Sequence, residues 1–213
     1  MVTIVEEELL KIFDESGVQI GEAPRSEVHK KGYWHETFHC WLISLEKNHP
    51  RIYFQIRSHR KKDYPNLLDI TAAGHILATE TVNDGIREVK EELGIAVNMD
   101  EVVSLGIIKN SIFLDKMIDR EFSHVFILKS NQPFTEFNLQ KEEVSGIVKA
   151  DFNEFYQFAH GNIDSINVEG FKINENDEKT NIQMTVNKNH FVSHENEFLV
   201  NVVELIKKHL SSN

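Results

Sequence analysis

One stretch of the chain combines residue types and spacing that could do chemistry. It runs Gly74-His-Ile-Leu-Ala-Thr-Glu80 and continues after a short gap as Arg87-Glu88-Val89-Lys90-Glu91-Glu92-Leu93-Gly94-Ile95. On a helix, residues three and four apart are neighbours, so Glu88, Glu91 and Glu92 project from one side. Hard divalent cations are held by one or two carboxylates together with waters and substrate phosphate oxygens. Such a cation supplies what diphosphate hydrolysis needs: charge neutralisation, a polarised phosphorus and an activated water. A glutamate-rich helix also has a plainer use as a solvated face, where like charges one turn apart cost only ~0.2–0.5 kcal/mol per pair. Taken alone, Arg-Glu-Val-Lys-Glu-Glu is more often that face. The fixed order of Gly, Glu, Arg, three Glu and a closing Gly favours the chemical reading.

A helix over 83–93 would carry these carboxylates. Ile86, Val89 or Lys90, and Leu93 mark its apolar stripe, Asn83 or Asp84 can cap it, and Gly94 stops it. Around it, segments 38–45, 51–56, 102–112, 121–128 and 145–149 read as strands from their β-branched, aromatic and apolar residues, and 67–71 and 76–77 are short and apolar. Residues 8–13 and 18–20 flank a turn at Asp14-Glu-Ser-Gly17 and form a short hairpin. A helix is expected over 152–160, a polar surface hairpin over 168–190, and a terminal amphipathic helix over about 196–211 with Leu199, Val202, Val203 and Ile206 on one side. Irregular interleaving of strands and helices gives an α/β class with a mixed sheet.

Composition narrows the partners. Of 213 residues, 40% are hydrophobic and 27% charged, with only ten Gly and four Pro, which excludes collagen-like, low-complexity and disordered chains. The net charge of −11 is the wrong sign for wrapping extended nucleic acid, whereas a small anion held through a metal is compatible with it. Cys40 is the only cysteine, so no intramolecular disulfide forms. The N-terminal run lacks a basic stretch followed by an apolar one, and no apolar run nears the ~18 residues a bilayer requires, so a cytoplasmic protein without membrane contact is expected. A homodimer is the assembly left open.

The segment 74–95 resembles the Nudix box, the loop–helix–loop signature of the Nudix hydrolase superfamily. Gly74, Glu80, Arg87, Glu88, Val89, Glu91, Glu92, Gly94 and Ile95 match its fixed positions, but six residues separate Glu80 from Arg87 where the usual pattern has seven. The resemblance implies a single Nudix-like α/β/α sandwich over 1–213, with Mg²⁺ as the cation and Mn²⁺ as a substitute. It makes Glu88 and Glu92 the principal metal ligands, Glu91 a further ligand or the base for the attacking water, and the Gly74 carbonyl a candidate to complete the shell. Arg87 would orient Glu88 or pair with Glu80; for Glu80 and Arg87 a loop-to-helix salt bridge and a direct catalytic role stand equal. In some Nudix hydrolases a glutamate in a later loop is the general base, which leaves Glu142, Glu143 and Glu91 as alternatives here.

A second resemblance covers more of the chain. Arg25-Ser-Glu-Val-His29, Gly32-Tyr-Trp-His35, the strand through Trp41, Arg57-Ser58, Lys62-Asp-Tyr-Pro65 and Asp69-Ile-Thr-Ala-Ala-Gly-His75 are similar to the branch of isopentenyl-diphosphate isomerases and their hydrolase-like relatives. The isomerase holds a metal with three histidines and two glutamates, and His29, His35, His75, Asp119 and Glu121 fall at similar places; satisfied polar histidines are the commoner alternative. The isomerase also needs a cysteine where Ala73 stands. Double-bond migration requires a proton donor and an acceptor on opposite sides of the substrate, and a methyl group is neither.

The basic run Arg57, Arg60, Lys61, Lys62 could steer a phosphate-bearing substrate, or be a solvated loop. Arg57, Lys61, Lys62 and His75 are the substrate-binding candidates; Phe126, Trp34 and Tyr53 are candidates to line the pocket, or core. The expected activity is Mg²⁺-dependent hydrolysis of a nucleoside-diphosphate derivative or other small organic diphosphate, with Glu91, Arg87 and Glu143 as catalytic candidates. An isomerase-like enzyme and a non-catalytic ligand-binding module are the alternatives.

Overall fold

The structure is a computed structural model that describes residues 7–47, 49–115, 117–174 and 176–212. Residues 1–6, on which part of the N-terminal reading rests, lie outside the described residues. Among the described residues eleven strands form one sheet: β1 Leu9–Phe13, β2 Gln19–Pro24, β3 Trp34–Glu46, β4 His49–Arg57, β5 Leu68–Ile70, β6 Ala72–His75, β7 Val102–Leu114, β8 Met117–Lys129, β9 Val144–Asp151, β10 Ser165–Ile173 and β11 Lys179–Asn187. Helices α1 Arg25–Lys31, α2 Arg87–Leu93, α3 Phe152–Ala159 and α4 Asn196–Ser211 complete it.

The backbone path runs β11-β10-β9-β4-β3-β1-β2, with β5 on β4, β6 and β8 on β3, and β7 on β8. All pairings are antiparallel except β3 with β8, which run parallel from Trp34↔Arg120 to Ile43↔Lys129. Strand β3 pairs with β4 only over Ile43–Glu46, and over Thr37–Cys40 its partner on that side is β6. Further along, β4 takes β5 as its neighbour at Phe54–Ile56. The two central strands thus diverge, and β5 and β6 fill the gap. Divergence of neighbouring strands opens a crevice, the usual place for a ligand in an open α/β sheet.

Alternation along β3 divides the core. Phe38, Cys40 and Leu42 face α2, packing with Val89, Leu93, Ile76 and Phe126. Trp41 and Ile43 face the opposite side, where they meet Phe155 and Phe158 of α3 and Phe198, Val202, Val203 and Ile206 of α4. Helices therefore cover both faces of a mixed sheet, as the sequence predicts. The polar hairpin and the terminal helix are both part of this core: β10 continues the sheet by pairing with β9, and α4 packs on β7 and α3, with its apolar stripe in the cluster around Trp41 and Ile43.

Several boundaries differ from the sequence reading. Of the two short apolar segments, the first holds β5, whereas β6 ends at His75 just before the second, and Leu77 makes one isolated bridge to Leu10. The predicted 83–93 helix is a 3-10 turn over Val82–Ile86 followed by α2. Asp84 accepts hydrogen bonds from the Thr81 amide (2.8 Å) and hydroxyl (2.7 Å), which starts the turn one residue before the expected cap. Helix α1 was not anticipated; it buries only Val28 and His29, too little to print a periodic stripe.

Candidate active site

Helix α2 ends at Gly94, whose φ of +73° is the left-handed conformation that stops a helix, and an added Cβ there would collide with Asn138. With Val89 and Leu93 pinned in the core, Glu88 and Glu92 are directed at the first residues of β6. The Glu92 carboxyl accepts from the Ala73 amide (3.1 Å) and from Gln55 Nε2 of β4 (3.2 Å). Glu88 lies against the next residue: a Cβ on Gly74 would overlap its carboxyl group. The two carboxyls sit side by side over consecutive backbone units in the gap between β4 and β6.

That position is electrostatically expensive for two anions. Burial, with the nearby Glu91 charge added and Arg87 opposing, pushes the Glu88 carboxyl up to about 7. Glu92, 6% exposed, is raised well above the ordinary carboxyl range, first by burial and then by Glu88. Two polar donors on Glu92 are a poor substitute for a counter-ion.

Arg87 supplies part of the compensation. Its Nε and Nη2 donate to Glu80 Oε1 (2.6 Å) and Oε2 (3.1 Å), Nη1 donates to Glu88 (2.5 Å) and Glu91 (3.1 Å), and Nη2 also reaches the His75 carbonyl (3.1 Å). Glu80 is therefore in the loop-to-helix salt bridge. The six-residue spacing keeps this pair because the intervening residues are wound into the 3-10 turn. The Arg87 hydrogen bond holds Glu80 below the usual carboxylate range despite partial burial.

These groups open on a cleft of about 310 Å³. Of the residues singled out from the sequence, Gly74, His75, Arg57, Lys61, Arg87, Glu88, Glu91, Glu92 and Glu143 all line it. Lys61 and Glu143 form an ion pair with each other there. Arg57 donates to Asp69 (2.8 Å) and to the Asp63 carbonyl. Lys62 is exposed and away from the cleft, and Glu142 pairs with Arg60 on the surface (3.0 Å). The pocket aromatics are elsewhere: Phe126 and Tyr53 belong to the core under α2, and Trp34 stacks on Phe122.

The same cleft is also lined by His29, His39, His75, Asp119 and Glu121. His29, His35 and His75 place their rings 5.2–5.3 Å apart, and His29 and His35 direct Nε2 at Asp119 Oδ1 at 3.7 and 3.4 Å. Three donors, Asn110, Ser123 and His39, converge on Glu121 Oε2 at 3.1–3.4 Å. Burial and neighbouring imidazoles push His29 down to about 3 and His35 to about 4. Burial, then Glu121, raises Asp119, while His39, His35 and Asn110 overcome burial and hold Glu121 low. His29 Nε2, His35 Nε2 and Asp119 Oδ1 are buried without a hydrogen-bond partner among the described residues. Unpaired buried polar atoms are costly. Donor atoms of His29, His35 and His75, and of His35, Asp119 and Glu121, lie within 4.8 Å of one another, as a shared cation requires.

Other residues at the cleft were given no role of their own in the sequence analysis. Arg25, at the start of α1, lines it with a buried Nε that lies 3.6 Å from Glu8 and has no hydrogen-bond partner among the described residues. Asp69 and His194 line it too, hydrogen-bonded to each other at 2.9 Å. Asp69 leaves a signal, a carboxylate within an apolar strand; nothing local marks His194.

No protein-family model matches the chain. Among curated proteins it is 42% identical over 190 residues to an uncharacterised Nudix hydrolase of Clostridium acetobutylicum, covering 89% of this chain and 92% of that one. Nudix hydrolase 3 of Arabidopsis thaliana matches at 32% over 158 residues, 71% of this chain but only 20% of the plant protein. An isopentenyl-diphosphate Delta-isomerase of Mycolicibacterium vanbaalenii is more distant, 28% identical over 121 residues, 56% of this chain and 65% of that one. The solved structure of DR0079 from Deinococcus radiodurans superposes with a TM-score of 0.53 at 21% identity, over 72% of this chain and 90% of that one, and shares the fold.

The relatives define a hydrolase acting on diphosphate bonds, and the fold agrees with it. The chain belongs to the Nudix hydrolase family.

Proposed function

We propose that the protein hydrolyses the diphosphate linkage of a small organic substrate, a nucleoside-diphosphate derivative or another diphosphate ester, with Mg²⁺ or Mn²⁺. The observation that carries this reading is the pair of adjacent carboxyls, Glu88 and Glu92, raised by burial at a cleft wall. Such a pair fits a hard cation, whose bound charge neutralises phosphate and acidifies water. Glu88 and Glu92 would hold it, with Glu91 at the rim and Gly74 leaving room for Glu88. Arg87 fixes the orientation of Glu88 and Glu91.

Glu91 and Glu143 line the same cleft, and either would take a proton from water. Lys61, Arg57 and His75, joined by Arg25, line the cleft as cationic or hydrogen-bonding partners for phosphate oxygens. The orphaned nitrogens of His29 and His35 and the orphaned oxygen of Asp119 support a second cation site, completed by His75 and Glu121.

Two features favour hydrolysis over allylic isomerisation. Ala73 offers no proton-transfer group, and the only thiol, Cys40, is buried in the core under α2 rather than at the cleft. The deciding experiment incubates the protein and Mg²⁺ with nucleoside-diphosphate sugars, dinucleoside polyphosphates, NADH, nucleoside triphosphates and isopentenyl diphosphate. Phosphate or nucleotide release is expected with one class. Conversion of isopentenyl diphosphate to its allylic isomer without phosphate release would overturn the assignment.

A further inference from the structure

His194 lies on the short segment between β11 and α4, outside every motif noted in the sequence. That segment is tied across the mouth of the sheet: the Val192 amide donates to the Leu68 carbonyl (2.9 Å), and Ser193 Oγ lies 2.6 Å from the Tyr64 hydroxyl. The His194 ring stacks at 5.2 Å on Phe198, which is fully buried in α4. Both ring nitrogens are engaged, Nε2 with Asp69 Oδ1 at 2.9 Å and Nδ1 with Asn110 Nδ2 at 3.1 Å.

The chemistry of the partners orients each bond. Asn110 is fully buried, and its Nδ2 also donates to Glu121 Oε2 at 3.1 Å. A carboxylate oxygen only accepts, so the Asn110 amino group must face Glu121, and its second N–H then requires an acceptor at His194 Nδ1. His194 therefore carries its ring proton on Nε2 and donates it to Asp69. Asp69, fixed also by Arg57 at 2.8 Å, anchors the far end. A continuous line of hydrogen bonds runs Arg57–Asp69–His194–Asn110–Glu121, from the basic wall of the cleft to the histidine cluster.

We propose that His194 is a positioning residue that locks the Asn110 carboxamide and, through it, the Glu121 carboxylate at the histidine-lined wall. The assignment rests on the second cation site proposed above for its functional consequence, but the orientation of Asn110 stands on the protein's own contacts. Partners that orient a ligating group are worth ~10–100-fold in cation affinity.

Two conservative variants separate the arms of the imidazole. In His194→Asn a side-chain oxygen replaces Nδ1 and can still accept from Asn110. In His194→Gln a side-chain amide replaces Nε2 and can still donate to Asp69. Side-chain amide spectra of the full chain, recorded without metal, are expected to show the Asn110 carboxamide protected from solvent exchange in wild type and His194→Asn and unprotected in His194→Gln. Equal protection in wild type and His194→Gln, or equal loss in both variants, overturns the assignment. Cobalt(II) titration is the second arm. Affinity should fall at least tenfold in His194→Gln and Asn110→Ala without adding in the double variant, and fall less in His194→Asn. A folded His194→Gln protein that binds cobalt as wild type does also overturns it. A wild-type protein that takes up no cobalt instead overturns the second cation site, while the amide spectra still decide the role of His194.

Discussion

The carboxyl group of Glu88 occupies the space in which a side chain on Gly74 would have to stand. Gly74 itself lies on a regular strand, so the requirement for glycine comes from the carboxylate rather than from the backbone. Gly74→Ala is expected to swing Glu88 out of the cleft. Mg²⁺-dependent turnover should fall roughly tenfold or more, of the order expected for a misplaced group. The thermal midpoint should move little because the displaced group is the end of a flexible side chain. Paired kinetics and melting curves check both halves.

Removing either charge tests the cation site directly. Glu88→Gln and Glu92→Gln should each reduce Mg²⁺-dependent turnover by roughly a hundredfold or more, the several kcal/mol that a catalytic metal supplies. In chelator, neither melts lower than wild type, because burial and the neighbouring carboxyl already penalise the charged form that each substitution abolishes. Retention of wild-type rates at saturating Mg²⁺ by either variant would refute the ligand assignment.

The same burial fixes a pH dependence. Glu88 is raised from an ordinary 4.5 to about 7. The folded state therefore binds more protons than the unfolded chain between those values, and stability falls as pH rises through the interval. Glu88→Gln lacks this loss. With chelator present, wild type should lose roughly 2–3 kcal/mol relative to Glu88→Gln between pH 4.5 and about 7. Denaturant titrations across that window measure it. His29 and His35 act in the opposite direction. Because burial first, then neighbouring imidazoles, hold them near 3 and 4, their contribution is complete above an ordinary 6.5 and is lost as pH falls.

Arg87 contacts Glu80, Glu88, Glu91 and the His75 carbonyl at once. A lysine cannot span these partners, because its ammonium lacks the planar fork of a guanidinium. Arg87→Lys is expected to cost about 1–2 kcal/mol of stability and to lower turnover more than Glu80→Gln, which leaves the Glu88 and Glu91 contacts in place. Urea unfolding and steady-state rates on the two variants decide it.

Much of this site was readable before the structure. The apolar spacing Val89–Leu93 and the stop at Gly94 placed the glutamates on one helical side, because local periodicity alone decides which way they face. The terminal helix was legible for the same reason. What local pattern could not carry was pairing between distant segments. Lys62 reads like Lys61 in sequence, yet only Lys61 turns inward to meet Glu143, 82 residues away. Trp34 and Tyr53 look like pocket aromatics until the sheet assigns each residue a face. His194 meets Asn110 across 84 residues, and no short motif encodes such a meeting.

Cys40 is 2% exposed on β3, and burial drives its thiol up to about 12. Alkylating reagents attack the thiolate, so this sulfur is silent as long as β3 stays paired with β6 and β8. The protein thereby contains its own clock. The rate at which a maleimide or iodoacetamide label appears on its single cysteine counts openings of the central strand. A cation that clamps the neighbouring cleft should slow the ticking.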